Sequence, residues 1–306
     1  MIKSVIDIGT NTAHLLIGEV RQKNLIRTIL KHREYTYLGE HGLDKIHKKP
    51  LKRLFEALVV FRKLTQEHGS QSLLIIGTEA LRAASNGPEI QSKIEEISGS
   101  KPFIISGETE ANLIRRGAEL SLELIPHNYL IMDIGGGSVE FIHVVNGKQV
   151  LLRSLPLGIS RLYERCNGSE KLNKEIVMGI KDHIKNIAYQ ILSSCKKHDT
   201  ELTLIGSAGT FEIFLPEGHL EDPTIKQSTI PISKIKERYE EVLYLDSNDR
   251  SEISWLPAVR SKYIIVALIL MQTIIEETNP ERLIVSKYAL KEGAIITNSS
   301  SLRSNF

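Results

Sequence analysis

Two short stretches of this chain of 306 residues are near copies, Val5-Ile6-Asp7-Ile8-Gly9-Thr10-Asn11-Thr12 and Ile131-Met132-Asp133-Ile134-Gly135-Gly136-Gly137-Ser138. Each is an apolar strand ending in Asp, a turn of Gly and hydroxyl residues, and a second strand leaving the turn. Glycine lets the backbone approach an anion and aim successive N–H groups at it, while Thr or Ser adds hydroxyl donors. An Asp at the strand tip can hold a divalent cation, directly or through water. One such loop is a weak motif, but two predict a pair of lobes facing each other with a polyphosphate and its metal in the cleft between them.

The repeat reaches beyond the loops. At an offset of about 126 residues the return strands align, His14-Leu15-Leu16-Ile17 with Glu140-Phe141-Ile142-His143. A third strand then follows in each copy, through Gln22-Lys23-Asn24 and through the hairpin dipeptide Asn146-Gly147. Leu74-Ile75-Ile76-Gly77-Thr78 is echoed by Thr203-Leu204-Ile205-Gly206-Ser207, and Ile104-Ile105-Ser106 by Ile284-Val285-Ser286.

Between these landmarks the spacing is helical. Leu51, Leu54, Phe55, Leu58 and Phe61 recur at three and four residues and predict an amphipathic helix over 50–68, with Pro50 at its start. Further helices are predicted over 108–124 and 174–195, and 261–278 is apolar nearly all round, as a buried helix would be. Strands alternating with helices give an α/β class with duplicated mixed-sheet lobes, each opening on an antiparallel meander. The lobes are expected at 1–125 and 126–306, with the last helix free to pack back on the first lobe.

The charges nearly cancel, 39 basic against 37 acidic, so no global field marks a nucleic-acid partner. The longest apolar run, 264–271, is too short to span a bilayer, and no membrane partner is expected. Cys166 and Cys195 lack metal-ligand spacing and read as reduced thiols. With the chain entering its first strand at once and no signal segment, a cytoplasmic location is expected. One local run stands out, Lys45, His47, Lys48, Lys49, Lys52 and Arg53. It reads either as a solvated helix start or as a landing strip for a long polyanion. The Ser-rich stretch 298–306 is expected to fray.

Asp7 and Asp133 lead the candidates for chemistry. Either alone reads equally as a turn cap. Together, at equivalent places, they are expected to face a shared cleft, and Glu140 on the return strand beside Asp133 makes Asp133 the closer metal group, whereas the first copy carries His14 there. Ile105-Ser106-Gly107-Glu108-Thr109-Glu110-Ala111 runs from a strand into a helix. Residues 108 and 110 lie roughly 200° apart on that helix, so at most one of them faces a given site. Glu110 shares its face with Ile114 and Gly117 and is the better candidate to orient a water and take its proton. Arg82, a turn after Gly77-Thr78, can clamp a phosphate oxygen or simply sit on a surface helix. Gly206-Ser207-Ala208-Gly209-Thr210 suits an anion at a helix start and equally a plain tight turn. His198-Asp199 would need further ligands to make a metal phosphohydrolase, and the sequence supplies none at a suitable spacing.

These segments, with Ser154-Leu155-Pro156-Leu157-Gly158 and Ala289-Leu290-Lys291-Glu292-Gly293, resemble the exopolyphosphatase and guanosine pentaphosphate phosphohydrolase family over nearly the whole chain. The resemblance implies a two-lobed actin-like fold, the ribonuclease H-like class with an interlobe cleft, and Mg²⁺-dependent hydrolysis of a terminal phosphoanhydride. It implies Glu110 as catalytic acid, Asp133 and Glu140 as metal ligands and Arg82 as a phosphate ligand; the repeat adds Asp7 as a third expected metal ligand. Thr10, Asn11, Thr12, Gly135, Gly136, Gly137, Ser138, Ser207 and Gly209 complete the expected phosphate contacts. The expected substrate is polyphosphate or guanosine pentaphosphate, and the expected assembly a homodimer. Asn112, Lys291 and Tyr37 stand where the family often carries Arg, Arg and a basic residue, which implies a weaker grip on long chains. The length resembles the short members without an appended C-terminal helical domain. Two other functions fit the same fold, a non-catalytic sensor of guanosine tetra- or pentaphosphate and a small-molecule kinase.

Overall fold

The structure, a computed structural model, describes residues 1–21, 26–166, 171–198, 201–207 and 209–297. The turn expected at Gln22-Lys23-Asn24, together with Asp199, Ala208 and the stretch 298–306, lies outside the described residues. Contacts divide the chain into two compact units. Met1–Leu120 and the segment from Tyr288 onward form the first, and Ser121–Lys287 forms the second. Against the expected lobes of 1–125 and 126–306, the segment from Tyr288 groups with the first unit.

The first unit contains β1 (Ile2–Ile8), β2 (Thr12–Val20), β3 (Ile26–Tyr35), β4 (Ser72–Gly77) and β5 (Phe103–Ile104), in the order β3-β2-β1-β4-β5. The second contains β6 (Asn128–Ile134), β7 (Val139–Val145), β8 (Lys148–Leu155), β9 (Thr203–Ser207), β10 (Gln227–Ile230) and β11 (Arg282–Ser286), in the order β10-β11-β9-β6-β7-β8. Apart from the edge strand β10, one sheet repeats the other. In each, an antiparallel meander is followed by two strands parallel to its first. Each echo in the sequence is therefore a topologically equivalent strand, β4 with β9 and β5 with β11. Asn146 and Gly147 close the second meander with φ of 51° and 74°, the paired positive values that a two-residue hairpin turn requires.

One face of the first sheet is sealed by the helix Lys48–Glu67, whose Leu54, Ala57, Leu58 and Phe61 pack with Ile6, Ile8, Leu15, Ile17 and Ile75. Burying each of these large apolar side chains contributes about 1.5–3 kcal/mol before entropy is charged. In the second unit the helix Ile264–Thr278 is buried from Ile264 through Ile275 and ends on Asn279 at φ 45°. That left-handed residue is a common helix terminator. The single helix predicted over 174–195 is two, Lys174–Ile187 and Tyr189–Lys197, meeting at Ala188. Neither Gly nor Pro marks the joint, so the apolar periodicity runs on through it.

Two helices of the first unit touch backbone to backbone. A Cβ on Gly117, in the helix Gly107–Ser121, would lie 1.9 Å from the Ala289 carbonyl oxygen. A Cβ on Gly293, in the helix Leu290–Ile295, would lie 1.9 Å from that of Leu113. Only glycine permits this approach. The shorter helix is held further by Glu292, whose Oε2 accepts from the Ala289 amide at 2.9 Å and whose Oε1 pairs with Lys31 Nζ at 2.7 Å. Burial works against the charged form of Glu292, yet the charges of Lys31 and Lys291 outweigh it and hold the carboxyl below its usual range.

Candidate active site

The two Gly/hydroxyl loops close in the same way. The Gly9 amide donates to the Thr12 carbonyl at 2.9 Å, and the Gly135 amide to that of Ser138 at 3.0 Å. The carbonyl just before each loop is capped by a hydroxyl from the next crossover, Ile8 by Thr78 at 3.4 Å and Ile134 by Thr210 at 3.2 Å. A second brace is also duplicated. The amides of Thr36 and Tyr37 donate to the Asn11 carbonyl and that of Gly39 to Thr10, while the amides of Ile159 and Ser160 donate to the carbonyls of Gly135 and Gly136. Leu38-Gly39 and Leu157-Gly158 each follow the third strand of their meander, the first bracing its loop through Gly39 itself and the second through the two residues after Gly158. A Cβ on Gly158 would meet the Gly136 carbonyl oxygen at 2.3 Å, so the bracing strand reaches its loop only with glycine there.

The second unit carries one polar row across four strands. Ser207, Asp133, Glu140 and Ser154 are successive cross-strand partners in β9, β6, β7 and β8 and share one face. Ser207 Oγ donates to Asp133 Oδ2 at 2.5 Å, and Ser154 Oγ donates to Glu140 Oε1 at 2.7 Å. Asp133 is 7% exposed and Glu140 1%. Two carboxylates directly opposed in a buried row repel each other, and a cation bound to both relieves that cost. The equivalent row of the first unit reads Ile76, Asp7, His14, Arg33, so Asp7 faces an imidazole rather than a second acid. His14 Nε2 lies 2.9 Å from Thr12 Oγ1, within its own loop.

The donor set fits Mg²⁺ better than a caged metal. Among the described residues no group of three His, Cys, Asp or Glu side chains gathers to hold an ion. Mg²⁺ ordinarily takes one or two carboxylates and completes its shell with water and substrate phosphates, which is what Asp133 and Glu140 can offer.

In the first unit, Ser106 Oγ accepts from the Thr109 amide at 3.1 Å and caps the helix that carries both candidate acids. Glu110 is buried and Glu108 exposed, as their angular separation requires. Arg82 Nη1 donates to the Ile105 carbonyl at 2.6 Å and to Glu110 Oε2 at 3.3 Å, while its Nη2 donates to Glu79 at 2.6 Å. The structure thus brings Arg82 to Glu110, and in the second unit Ser207 to Asp133. Ser207, expected on a phosphate, is fully buried against that carboxylate, because β9 pairs Ser207 with Asp133 while β4 pairs Ile76 with Asp7. Thr10 and Ser138 are buried in their loops, and Asn11 and Thr12 are half-buried.

Two guanidinium groups at this site were not singled out from sequence. Arg161 Nε donates to the Gly137 carbonyl at 2.9 Å, and Arg260 Nη1 to that of Gly209 at 2.5 Å. Arg161 follows Leu157-Gly158 by three residues, a hint that becomes visible once the brace on the loop is seen. Arg260 ends the short 3-10 helix Ala258–Arg260 and has no local signal. His198 packs edge-on to His143, with ring centroids 5.5 Å apart.

A profile of the Ppx/GppA phosphatase family matches residues 16–302, and the chain belongs to that family. It is 27% identical over 305 residues to the guanosine-5'-triphosphate,3'-diphosphate pyrophosphatase of Photobacterium profundum, covering 98% of this chain and 60% of that protein. The protein of the same name from Aeromonas salmonicida is 27% identical over 306 residues, covering 95% and 58%. The chain thus spans about three-fifths of the length of these curated relatives. Among solved structures, an exopolyphosphatase from Cytophaga hutchinsonii superposes with a TM-score of 0.89 at 24% identity, over 99% of this chain and 98% of the other. The Aquifex aeolicus PPX-GPPA enzyme gives 0.79 at 22%, over 97% and 99%. These likenesses show the fold, the α/β actin-like class with duplicated mixed sheets. No helix among the described residues is long and apolar enough to cross a membrane.

Proposed function

We propose that this chain is a phosphohydrolase that removes the terminal phosphoryl group of inorganic polyphosphate or guanosine pentaphosphate. The observation that carries the reading is the buried row of Asp133 and Glu140 beside a Gly-rich loop, repeated in outline by Asp7 and its own loop. Glu110 orients a water and takes its proton as the water oxygen bonds to the terminal phosphorus. The bond from phosphorus to the bridging oxygen breaks, and the shortened polyphosphate leaves with that oxygen. Arg82 fixes the Glu110 carboxylate, and backbone amides of the loops at Thr10-Asn11-Thr12 and Gly135-Gly136-Gly137-Ser138 hold the phosphoryl oxygens. Gly209 and Arg161 extend the anion contacts. Asp133 and Glu140, assisted by Asp7, would hold Mg²⁺, which when bound neutralises charge on the phosphates. A cytoplasmic homodimer belongs to the same reading.

Phosphate release, followed side by side on tripolyphosphate, long-chain polyphosphate and guanosine pentaphosphate with and without Mg²⁺, tests it. Mg²⁺-dependent release from at least one of them is expected. Tight nucleotide binding with no release from any of the three would replace the enzyme with a sensor.

A further inference from the structure

The cationic run noted in the sequence folds into an unusual surface. Lys45, His47, Lys48, Lys49 and Lys52 are all exposed at the start of the helix Lys48–Glu67, and His41 joins them with its ring 4.9 Å from that of His47. Over residues 40–53 five Lys and Arg side chains stand against two acids, Glu40 and Asp44. The first turn of the helix carries no acid, and its cations lie at the end where the helix dipole disfavours them. Lys48 and Lys52 also repel each other at i,i+4. Lys45, Lys48 and Lys49 have no ion-pair partner among the described residues. Such an arrangement costs stability in the free protein, and an external polyanion would recover it.

The run is joined to the phosphate loop of its own unit. Arg53 Nε donates to the Thr36 carbonyl at 2.8 Å, and its guanidinium lies 5.5 Å from the centroid of the Tyr37 ring. The amides of these two residues, Thr36 and Tyr37, donate to the Asn11 carbonyl. Tyr37 holds φ at 50°, a strained value for an aromatic residue that persists because its amide is bonded to Asn11 and its ring is packed against Arg53. Glu40 is the internal anion of the patch, bonded to Arg53 Nη2 at 2.5 Å. That hydrogen bond first, then the charges of Arg53, Lys49 and His41, holds its carboxyl below the usual range. A phosphoryl group could take its place.

We infer that residues 41–53 form a docking strip for linear inorganic polyphosphate, continuous with the Thr10-Asn11 loop, the cations of the strip offsetting the weaker grip on long chains implied by Asn112, Lys291 and Tyr37; the inference rests on the phosphohydrolase reading and names long polyphosphate as its substrate class. A nucleic acid is the poorer fit. Its bases need free aromatic faces, whereas Tyr35 and Tyr37 are stacked on each other at 5.8 Å with Arg53 against Tyr37.

The test compares the wild type, the fourfold variant Lys45→Gln, Lys48→Gln, Lys49→Gln, Lys52→Gln, and Glu40→Gln. Binding of long-chain polyphosphate, tripolyphosphate and single-stranded DNA is measured without Mg²⁺, so the readout does not depend on turnover. For the fourfold variant, affinity for long-chain polyphosphate is expected to fall on the order of 10- to 100-fold and its salt slope by up to about 3, with tripolyphosphate changed less than about twofold. Glu40→Gln is expected to tighten long-chain binding. The thermal midpoint of the fourfold variant should hold or rise, since the changes relieve repulsion. Equal losses on short and long chains, no loss at all, or DNA bound as tightly as polyphosphate would overturn the strip. If the strip effect appears and no substrate is ever hydrolysed, the docking stands and the enzymatic reading falls. If wild type and fourfold variant hydrolyse long chains alike, the reverse holds.

Discussion

His143 shows how far one side chain can be taken from its behaviour in water. It is fully buried, with Nδ1 2.8 Å from Ser194 Oγ and Nε2 2.9 Å from Asn128 Oδ1. Burial first, and the nearby His198 second, pushes its pKa down to about 4 from 6.5. As pH falls, the unfolded chain takes up this proton before the folded one. The stability contributed by neutral His143 is therefore complete above about 6.5 and is lost between there and about 4, at a cost of about 3 kcal/mol. Urea midpoints measured from pH 7 to 4 should show that loss in the wild type and a flatter profile in His143→Gln. Glu140 makes a different case, a buried carboxyl set directly opposite the carboxyl of Asp133. Glu140→Gln is expected to raise the stability of the metal-free protein by up to about 1 kcal/mol and to abolish any stabilisation by Mg²⁺. Melting curves with and without Mg²⁺ check both signs, and an undiminished Mg²⁺ response would remove Glu140 from the metal site.

Among the elements, the contact between Gly107–Ser121 and Leu290–Ile295 is the most exacting. Gly117→Ala places a methyl group against a backbone carbonyl that has no rotamer to yield, so a loss of about 3 kcal/mol is expected, and turnover should fall because Glu110 rides on the same helix. A midpoint within experimental error of the wild type would show that the helices part freely. This contact was not legible in the sequence, since a helix-packing glycine looks like any other until its neighbour is known. The strand repeat was legible, because an apolar run closed by Gly and a hydroxyl residue is local information, and β4, β5, β9 and β11 answer to it. The break at Ala188 and the position of Arg260 depend on tertiary packing, and neither left a local mark. The pairing of Ser207 with Asp133 was not legible, since the offset between the β4 and β9 registers cannot be read from composition.

At the scale of the molecule, duplication explains the fold and divergence explains the chemistry. Both units keep the loop closure, the threonine cap on the carbonyl before the loop and a brace of amides on the loop carbonyls, contacts to the backbone that a repeated sequence carries over. They differ in side chains, an acid pair with two serines in one row and Asp7 with His14 and Arg33 in the other. On the proposed reading one carboxylate, that of Glu110, takes the proton of the attacking water, and it bears the central claim. The decisive measurement is the rate of phosphate release by Glu110→Gln, beside the exposed control Glu108→Gln and a binding assay for each. Glu110→Gln is expected to lose 10² to 10⁴-fold in kcat, on the order of what a positioned base supplies, with substrate affinity retained and Glu108→Gln unchanged. Turnover by Glu110→Gln close to that of the wild type would contradict the assignment and move the base to another residue.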